Sequence, residues 1–465
     1  MSPTRTTTNI SNVDWITVII YGVMVLFGWM NIYAASFNPN EMNILNLEEE
    51  SGKQFLFIII AAVLALLVMY IEGNVFNQFA WIIYLACIFM LGLVLVIGHE
   101  VNGAKAWIQI GTFTLQPSEF AKMGTALLVA KYISTTKARF KTWRTRIVAS
   151  CIIALPAGLV LIQPDVGSVL VFAGFILAMY REGLSGNILI VGLMAIVLSV
   201  VSIIASAASI SYPFMGAGTG IYIVVIILFC IALLSLFFIR NFVVPRSRKL
   251  FTIITIAAGI GGIGFCLSVD YMMVNALKDH HRDRILVLFG LEEKALAIDQ
   301  EKAQERAVAV EASTDKKKKD LGYNARMAKI TVGSGGLLGK GYLDGPMTHN
   351  HYVPEQWTDF IFSAVSEEWG FVGSTLVLGM FIFLIIRLIN MAERQRSQFS
   401  RVYGYCVASI FFMHVLINMG MVIGLAPIIG IPLPFFSYGG SSLLAFTILL
   451  FIMVRLDAER LAVFR

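Results

Sequence analysis

Long apolar runs separated by short polar segments recur along most of this chain of 465 residues. A helix needs about 20 mostly apolar residues to cross the roughly 30 Å hydrocarbon core of a bilayer. The runs predict twelve membrane-spanning helices, at 15–36, 54–71, 76–98, 118–134, 148–163, 167–181, 188–209, 216–239, 250–270, 359–388, 401–425 and 437–455. The pattern is typical of an all-α polytopic membrane protein, and we expect a single membrane domain over residues 1–465.

The composition supports this fold class. Hydrophobic residues make up 58% of the chain and charged residues 14%, whereas soluble domains are about half apolar and about a quarter charged. A water-facing protein could not bury so much apolar surface, so a soluble fold is excluded. The net charge of +6 is compatible with nucleic-acid binding, but basic residues in membrane proteins act as topology signals and phosphate contacts. We therefore expect no nucleic-acid partner.

Basic residues are concentrated in short loops that predict the orientation of the chain. The loops at 135–147, 240–249 and 388–400 are rich in Lys and Arg, whereas the loop after the first span, NPNEMNILNLEEESGK, has four glutamates and one lysine. Short cytoplasmic loops carry the excess of Lys and Arg. With twelve spans, the basic loops and both termini are predicted to be cytoplasmic, and the long connection at 271–358 is predicted to be extracytoplasmic.

The 271–358 loop has two parts of different composition. Residues 291–320 are rich in charged, helix-forming residues, which indicates a solvated surface more readily than a partner contact. The later part, ITVGSGGLLGKGYLDGPMTHNHYVPEQWTDF, combines glycines, aromatic residues and polar groups. Long loops of that kind are usually functional.

Ionisable residues at the ends of spans are costly and therefore mark candidate sites. Glu119 and Lys122 follow Lys105 at the mouth of the fourth span, and their spacing of three puts them on one helix face. An internal ion pair that only satisfies itself is the alternative. Asp165, in QPDVGS, interrupts an apolar run, which indicates a wet cavity, an N-cap of the next helix, or both.

Three further segments carry candidate chemistry. Arg284, with Lys329 and Lys340 around GSGG, suits a phosphate or diphosphate, because small residues let backbone N–H groups approach and cations supply charge. Asp359 lies where the long loop enters the bilayer, where a partly desolvated carboxylate can act as a general base; an N-cap is the alternative. In the last segment, GIPLPFFSYGGSS is a poor helix but a good cavity wall, and interhelical hydrogen bonds are the favoured interpretation for the preceding His414 and Asn418.

These motifs occur in a fixed order: NGAKAWI with QPSEFAK, QPDVGS, GSGGLLGKG, VPEQWTDFIFSAVSEEWGFVG and GIPLPFFSYGGSS. In this order the chain resembles the SEDS family of bacterial wall polymerases, the family of RodA and FtsW. The segment GKGYLDG is more similar to the elongation-type RodA than to the division-type FtsW. Members usually have ten spans, so the 216–270 region would be an additional pair.

The resemblance implies a peptidoglycan glycosyltransferase that polymerises lipid II, the undecaprenyl-diphosphate disaccharide pentapeptide, for cell elongation and rod shape. It places the active site on the outer face of the bacterial cytoplasmic membrane. It implies a class B penicillin-binding protein as the transpeptidase partner, beside other membrane proteins of the elongation complex. We expect no organic cofactor, and a divalent cation, Mg or Mn, with Glu119 as a candidate ligand.

The resemblance also assigns roles. The family's essential aspartate corresponds to Asp359, the expected general base. The residues expected to bind the diphosphate are Lys105, Lys122, Arg284, Lys329 and Lys340, and the supporting residues are Glu119, Asp165, Glu355, Ser437, Gly439 and Gly440. The chain departs from its relatives at Trp357 and His351, which are therefore given no role.

Other functions remain open from the sequence alone. A lipid II flippase would suit broken helices and buried charges, although the hydropathy shows no inverted repeat. A scaffold that activates a partner synthase is another possibility, and an FtsW-like division polymerase is a third.

Overall fold

A computed structural model describes residues 12–37, 46–101, 104–111, 113–136, 142–207, 209–212, 216–272, 323–426 and 428–461. Within it the chain divides into two compact units, one comprising Met1–Leu184 with Asn324–Arg465 and the other Ser185–Tyr323. Arg284 and the charged stretch 291–320 lie outside the described residues, so the predictions made for them remain predictions.

The described residues are mainly helical. The helices are α1 (Trp15–Ala35), α2 (Glu50–Tyr70), α3 (Gly73–Ile97), α4 (Pro117–Thr136), α5 (Trp143–Ile162), α6 (Val166–Ala173), α7 (Phe175–Arg181), α8 (Gly186–Ala207), α9 (Ile221–Phe242), α10 (Pro245–Tyr271), α11 (Tyr323–Ser334), α12 (Pro346–His349), α13 (Ile361–Glu393), α14 (Gln398–Ile423) and α15 (Gly440–Ala458). The strands are β1 (His99–Val101), β2 (Ala104–Ile110), β3 (Phe113–Leu115), β4 (Ser209–Tyr212) and β5 (Gly216–Thr219), which form an antiparallel sheet in the order β1-β2-β3 and an antiparallel hairpin of β4 and β5.

The predicted all-α polytopic class is confirmed, but the count of twelve spans is not. Every predicted span coincides with a helix, or with the pair α6 and α7. Among the described residues, ten helices are long and apolar enough to cross a membrane, and neither α4 nor the short α6 and α7 is among them. The α4 helix is polar because it is enclosed by α3, α5, α14 and α15, and a helix shielded from lipid needs no apolar surface.

The first unit has its core around α4, α14 and α15, which are mostly buried. The surrounding helices α1, α2, α3 and α5 leave many large apolar side chains exposed. In a bilayer those faces contact lipid. One group of buried polar side chains lies where the first turns of α4 and of α15 meet, and the candidate site is found there.

The second unit comprises the helices α8, α9 and α10, which pack against one another, and the β4–β5 hairpin. Its helices are apolar on nearly all sides and mostly exposed, as expected of membrane spans. The Ser206 hydroxyl donates to the Asp270 carboxylate, so the polar ends of α8 and α10 satisfy each other. The additional pair predicted at 216–270 corresponds to α9 and α10.

Charged side chains fasten the helix ends of the first unit. Asp14 caps α1 by accepting from the Thr17 N–H at 3.1 Å, and it accepts from Arg387 and from Arg394, each at 2.7 Å. Burial alone would raise the pKa of Asp14, but the hydrogen bonds from Arg387, the Thr17 N–H and Arg394 hold it below its usual value. Since Arg394 also pairs with Asp457, the ends of α1, α13 and α15 form one network.

The α13 helix is broken at Gly370, which has φ +66° and ψ −162°. The GSGGLLGKG segment supplies the hydrogen bonds that the break removes: the Phe371 N–H donates to Gly336 O at 2.9 Å, and the Lys340 N–H donates to Glu367 O at 2.9 Å. The break therefore fixes the position of the loop that precedes the candidate site.

Glu367 secures the same loop with its side chain. Its fully buried carboxylate accepts from the Ser334 hydroxyl, from the backbone N–H groups of Met347 and Thr348, and from the Thr348 hydroxyl, at 2.6–3.1 Å. Burying a polar group costs free energy unless it is hydrogen-bonded, and these four donors satisfy the carboxylate. This carboxylate, placed by the sequence in an otherwise apolar helix, therefore holds the loop rather than a substrate.

Replacing Gly370 by alanine is expected to destabilise the protein, by at least about 1–3 kcal/mol from the positive φ alone. A Cβ there would also collide with the backbone of Leu338 and Gly339, which cannot move without breaking the loop. In Gly379→Ala, a control on the same helix, the Cβ meets nothing within 4 Å, and the change should stabilise by about 0.5–1 kcal/mol. Thermal unfolding in detergent measures both; equal unfolding temperatures would contradict this explanation of the break.

Candidate active site

A buried ion pair lies in the first turns of α4. The Lys122 Nζ is 2.7 Å from Glu119 Oε1, and the two side chains are 2% and 1% exposed. His414, on α14, places its Nε2 2.8 Å from the same ammonium. Its Nδ1 lies 3.1 Å from Pro432 O, which can only accept, so Nδ1 carries the proton and Nε2 accepts from Lys122. The pair is thereby connected to the GIPLPFFSYGGSS segment.

Glu119 and Lys122 lie together, as their spacing predicts. They form the internal ion pair that the sequence analysis gave as the alternative to a binding site. The Lys122 ammonium also lies 5.4 Å above the Phe446 ring, so protein groups surround it. Its role in binding the diphosphate remains a prediction, and so does a metal at Glu119. An ammonium 2.7 Å from the carboxylate disfavours a divalent cation there, and among the described residues no group of three His, Cys, Asp or Glu side chains could hold a metal ion.

Asp165 both caps a helix and joins two segments. Its Oδ1 accepts from the Ser168 N–H at 3.0 Å at the start of α6, as the N-cap interpretation predicts, and its Oδ2 accepts from Gln116 Nε2 at 3.1 Å. The Gln116 N–H donates to the Ser441 hydroxyl at 3.1 Å. Asp165 therefore positions the start of α4 relative to α6 and α15.

Asp359 ends a segment of backbone that is held at three consecutive carbonyls. The carbonyls of residues 357–359 accept, in order, from the Tyr438 N–H at 2.8 Å, the Ser437 hydroxyl at 2.6 Å and Asn418 Nδ2 at 2.8 Å. All three donors come from α14 or from the segment that follows it. The backbone that presents the Asp359 carboxylate is therefore rigid, as a catalytic group requires.

The Asp359 side chain is only partly buried. The N-cap position of α13 is Phe360, so Asp359 does not serve as that cap. A Cβ added to Gly430, whose φ is +70°, would lie 3.2 Å from Asp359 Oδ2, so bare backbone forms one wall beside the carboxylate. A partly exposed carboxylate on a fixed backbone suits general-base chemistry.

The predicted supporting residues in SYGG have structural roles around Asp359. Ser437 accepts from the Leu433 N–H at 2.7 Å while donating to the segment of Asp359. The Gly439 N–H donates to Gln54 Oε1 at 3.2 Å, and a Cβ at Gly440 would collide with the ring of Phe57. These glycines therefore allow the start of α15 to pack closely against α2.

Tyr438, which the sequence did not single out, also borders this region. Burial, and then the neighbouring Glu50 carboxylate, raise the pKa of the Tyr438 phenol above its usual value. The phenol therefore remains a neutral donor at ordinary pH. Glu50 also pairs with Lys53, Nζ to Oε2 3.1 Å, so the start of α2 brings charge close to the SYGG segment.

Each of the remaining residues predicted from the sequence has its own surroundings in the structure. The Lys105 ammonium donates to Leu95 O at 3.0 Å and to Val96 O at 3.1 Å, so it caps the end of α3. Lys329 packs over Gly424 at the end of α14, and the Lys340 side chain is exposed. Glu355 accepts from the Thr358 hydroxyl at 3.1 Å and is exposed. The diphosphate roles of the three lysines remain predictions.

Comparisons with known proteins cover nearly the whole chain. The profile of the FtsW/RodA/SpoVE family, described as cell cycle proteins, matches residues 14–215 and 217–461. The chain is 28% identical over 460 residues to "Peptidoglycan glycosyltransferase RodA" of Treponema pallidum (strain Nichols), covering 97% of this chain and 99% of the relative. It is 28% identical over 434 residues to "Peptidoglycan glycosyltransferase MrdB" of Escherichia coli (strain K12), covering 93% and 90%.

Solved structures share the fold. A chain from a structure titled "Structural coordination of polymerization and crosslinking by a peptidoglycan synthase complex" matches with a TM-score of 0.64 and 24% identity, covering 97% of this chain and 99% of that one. The crystal structure of the rod shape determining protein RodA of Thermus thermophilus matches with a TM-score of 0.57 and 22% identity, covering 99% of each chain.

Proposed function

Since the chain belongs to the FtsW/RodA/SpoVE family, we propose that it is a peptidoglycan glycosyltransferase that polymerises lipid II. Relatives that match it almost end to end carry this activity in their names. The observation that carries the assignment of the site is the Asp359 carboxylate, partly exposed on a backbone fixed at three carbonyls. The relatives named RodA and MrdB support a role in cell elongation rather than division.

A single general base is enough for the proposed reaction. Asp359 takes the proton from an acceptor sugar hydroxyl, whose oxygen bonds to the anomeric carbon of the donor. The bond from that carbon to the diphosphate oxygen breaks, and the lipid diphosphate leaves with its electron pair. Attack opposite the leaving group inverts the anomeric centre. Preorganised charge that stabilises the departing diphosphate usually contributes more than any other effect to such catalysis.

Lysines are the proposed source of that charge. Lys329 and Lys340 have exposed side chains in the described structure and can reach a ligand without losing a partner ion. Lys105 and Lys122 donate to protein acceptors, so each would have to exchange a hydrogen bond to contact the diphosphate. Arg284 is proposed from its sequence position alone.

The chain is a multi-pass membrane protein. We place it in the bacterial cytoplasmic membrane, with both termini cytoplasmic and Asp359 at the outer face, because the short basic loops favour that orientation. A class B penicillin-binding protein and other elongation-complex proteins are the proposed partners. The solved complex with the same fold, whose title joins polymerization with crosslinking, supports this proposal.

Purified chain mixed with purified lipid II, without any partner, tests the function. We expect glycan strands to form. A flippase would translocate lipid II in vesicles and yield no glycan, and a scaffold would yield glycan only when its partner synthase is added. Parallel reactions with Mg, Mn or a chelator test the divalent cation.

A further inference from the structure

We propose that Asn418 is a positioning residue for Asp359, acting through the main chain of that aspartate and of its neighbouring wall. The inference rests on the proposed function, because it concerns the same carboxylate. It assigns to a buried side chain of α14 a part in catalysis rather than only in packing.

The amide of Asn418 holds two separate segments at once. The side chain is fully buried, and its Nδ2 donates to Asp359 O at 2.8 Å and to Ile431 O at 2.7 Å. A primary amide has two N–H donors, so both are used. The orientation of the amide is fixed, because a flip would direct Oδ1 at two carbonyl oxygens.

The two segments lie on either side of the Asp359 carboxylate. One is the residue that bears it. The other includes Gly430, next to Ile431, at which a Cβ would lie 3.2 Å from Asp359 Oδ2. The Ser437 hydroxyl joins the same two segments at Leu433 and Thr358, but the Asn418 amide is the bridge that binds the carbonyl of Asp359 itself. It therefore contributes directly to the distance between the carboxylate and the backbone wall, and to the direction in which the carboxylate faces an acceptor.

Among the described residues, the Asn418 amide is used only as a donor. The Oδ1 of Asn418 is buried and has no hydrogen-bond partner among the described residues. Leaving such an acceptor unsatisfied costs about 1–3 kcal/mol. A leucine of similar size would avoid that cost but would leave the Asp359 and Ile431 carbonyls without this donor. What the asparagine adds is therefore the two donated hydrogen bonds that hold these segments.

The test replaces Asn418 by leucine in the full-length protein and measures polymerisation of lipid II. Displacing a catalytic group by about 1 Å can cost on the order of 100-fold in rate. We expect kcat to fall by on the order of 10- to 100-fold, with KM for lipid II unchanged. Asn418→Ala, which removes both donors and adds no charge, should show the same fall in kcat.

Asn31 provides a matched control. It is equally buried on α1, where its Nδ2 donates to Phe27 O at 2.7 Å and its Oδ1 accepts from Trp369 Nε1 at 3.1 Å. Asn31→Leu should lower the unfolding temperature but leave kcat near that of the unaltered protein.

Three outcomes would overturn the proposal: an unchanged kcat in a folded Asn418→Leu protein, a rise in KM alone, or an equal loss of kcat in Asn31→Leu. If Asn418→Leu does not fold, Asn418→Ala decides the question by the same criteria. Failure of the unaltered protein to form glycan would instead refute the proposed function, so the two failures are distinguishable.

Discussion

Replacing Asp359 by asparagine is expected to slow polymerisation of lipid II by about 100- to 10,000-fold, the usual contribution of a positioned base. The amide has nearly the same size and keeps the main-chain hydrogen bonds of residues 357–359, so the fold should be unchanged. The measurement is the initial rate of glycan formation by purified protein, beside its unfolding temperature in detergent.

Asp344→Asn is the control for this prediction. It removes the same charge from an exposed carboxylate in the loop that precedes the site, and we expect the rate of the unaltered protein. Glycan formation by Asp359→Asn at the control rate would show that another group is the base.

Breaking the buried pair of Glu119 and Lys122 is expected to have the largest effect on stability. In Lys122→Met the Glu119 carboxylate loses its ion-pair partner in a site that is almost completely buried. Loss of one partner from a buried pair costs about 3–5 kcal/mol, whereas replacing both can be neutral. We therefore expect a large fall in the unfolding temperature of Lys122→Met, and recovery of much of it in the double variant Glu119→Gln with Lys122→Met.

The pair of Glu50 and Lys53 is the matched control, because it has the same spacing of three residues but side chains that are 30% and 37% exposed. Exposed pairs contribute about 0–1 kcal/mol, so Lys53→Met should hardly change the unfolding temperature. Equal effects of Lys122→Met and Lys53→Met, or no recovery in the double variant, would show that burial does not explain the contribution of the pair to stability.

The sequence predicted the helices well, because each apolar run is long and such a run forms a helix in a membrane without depending on residues far away in the chain. The sequence did not establish the number of spans, because the composition and length of some helices depend on how they pack in the folded protein. The α4 helix is polar because other helices enclose it, and α6 and α7 are short because the chain is interrupted between them at Gly174. Whether such segments cross a membrane depends on their neighbours rather than on their own composition.

Of the candidate site, the sequence identified the residue types better than their partners. The spacing of Glu119 and Lys122 predicted their contact, since both lie on one helix. The contacts of Asp359 with Asn418 and of Thr358 with Ser437 join residues 59 and 79 positions apart in the chain, and no local pattern specifies them. His414 and Asn418 are four residues apart and therefore share one face of α14, which is the signal that could have identified Asn418.

Cations were the hardest to assign from sequence. Lys105 and Lys122 resemble phosphate ligands when only their charge and sequence position are known, yet one caps α3 and the other is enclosed by Glu119, His414 and Phe446. The break at Gly370 was also not foreseen, because a single glycine in an apolar run predicts a continuous helix unless its tertiary hydrogen bonds are known.

The central claim is that this chain alone joins lipid II units and that Asp359 is the base. The most direct measurement is the time course of glycan formation from lipid II by the purified protein without any partner, run beside Asp359→Asn. We expect strands that lengthen with time for the unaltered chain and almost none for the variant. The claim would be contradicted if neither protein, or both equally, produced glycan.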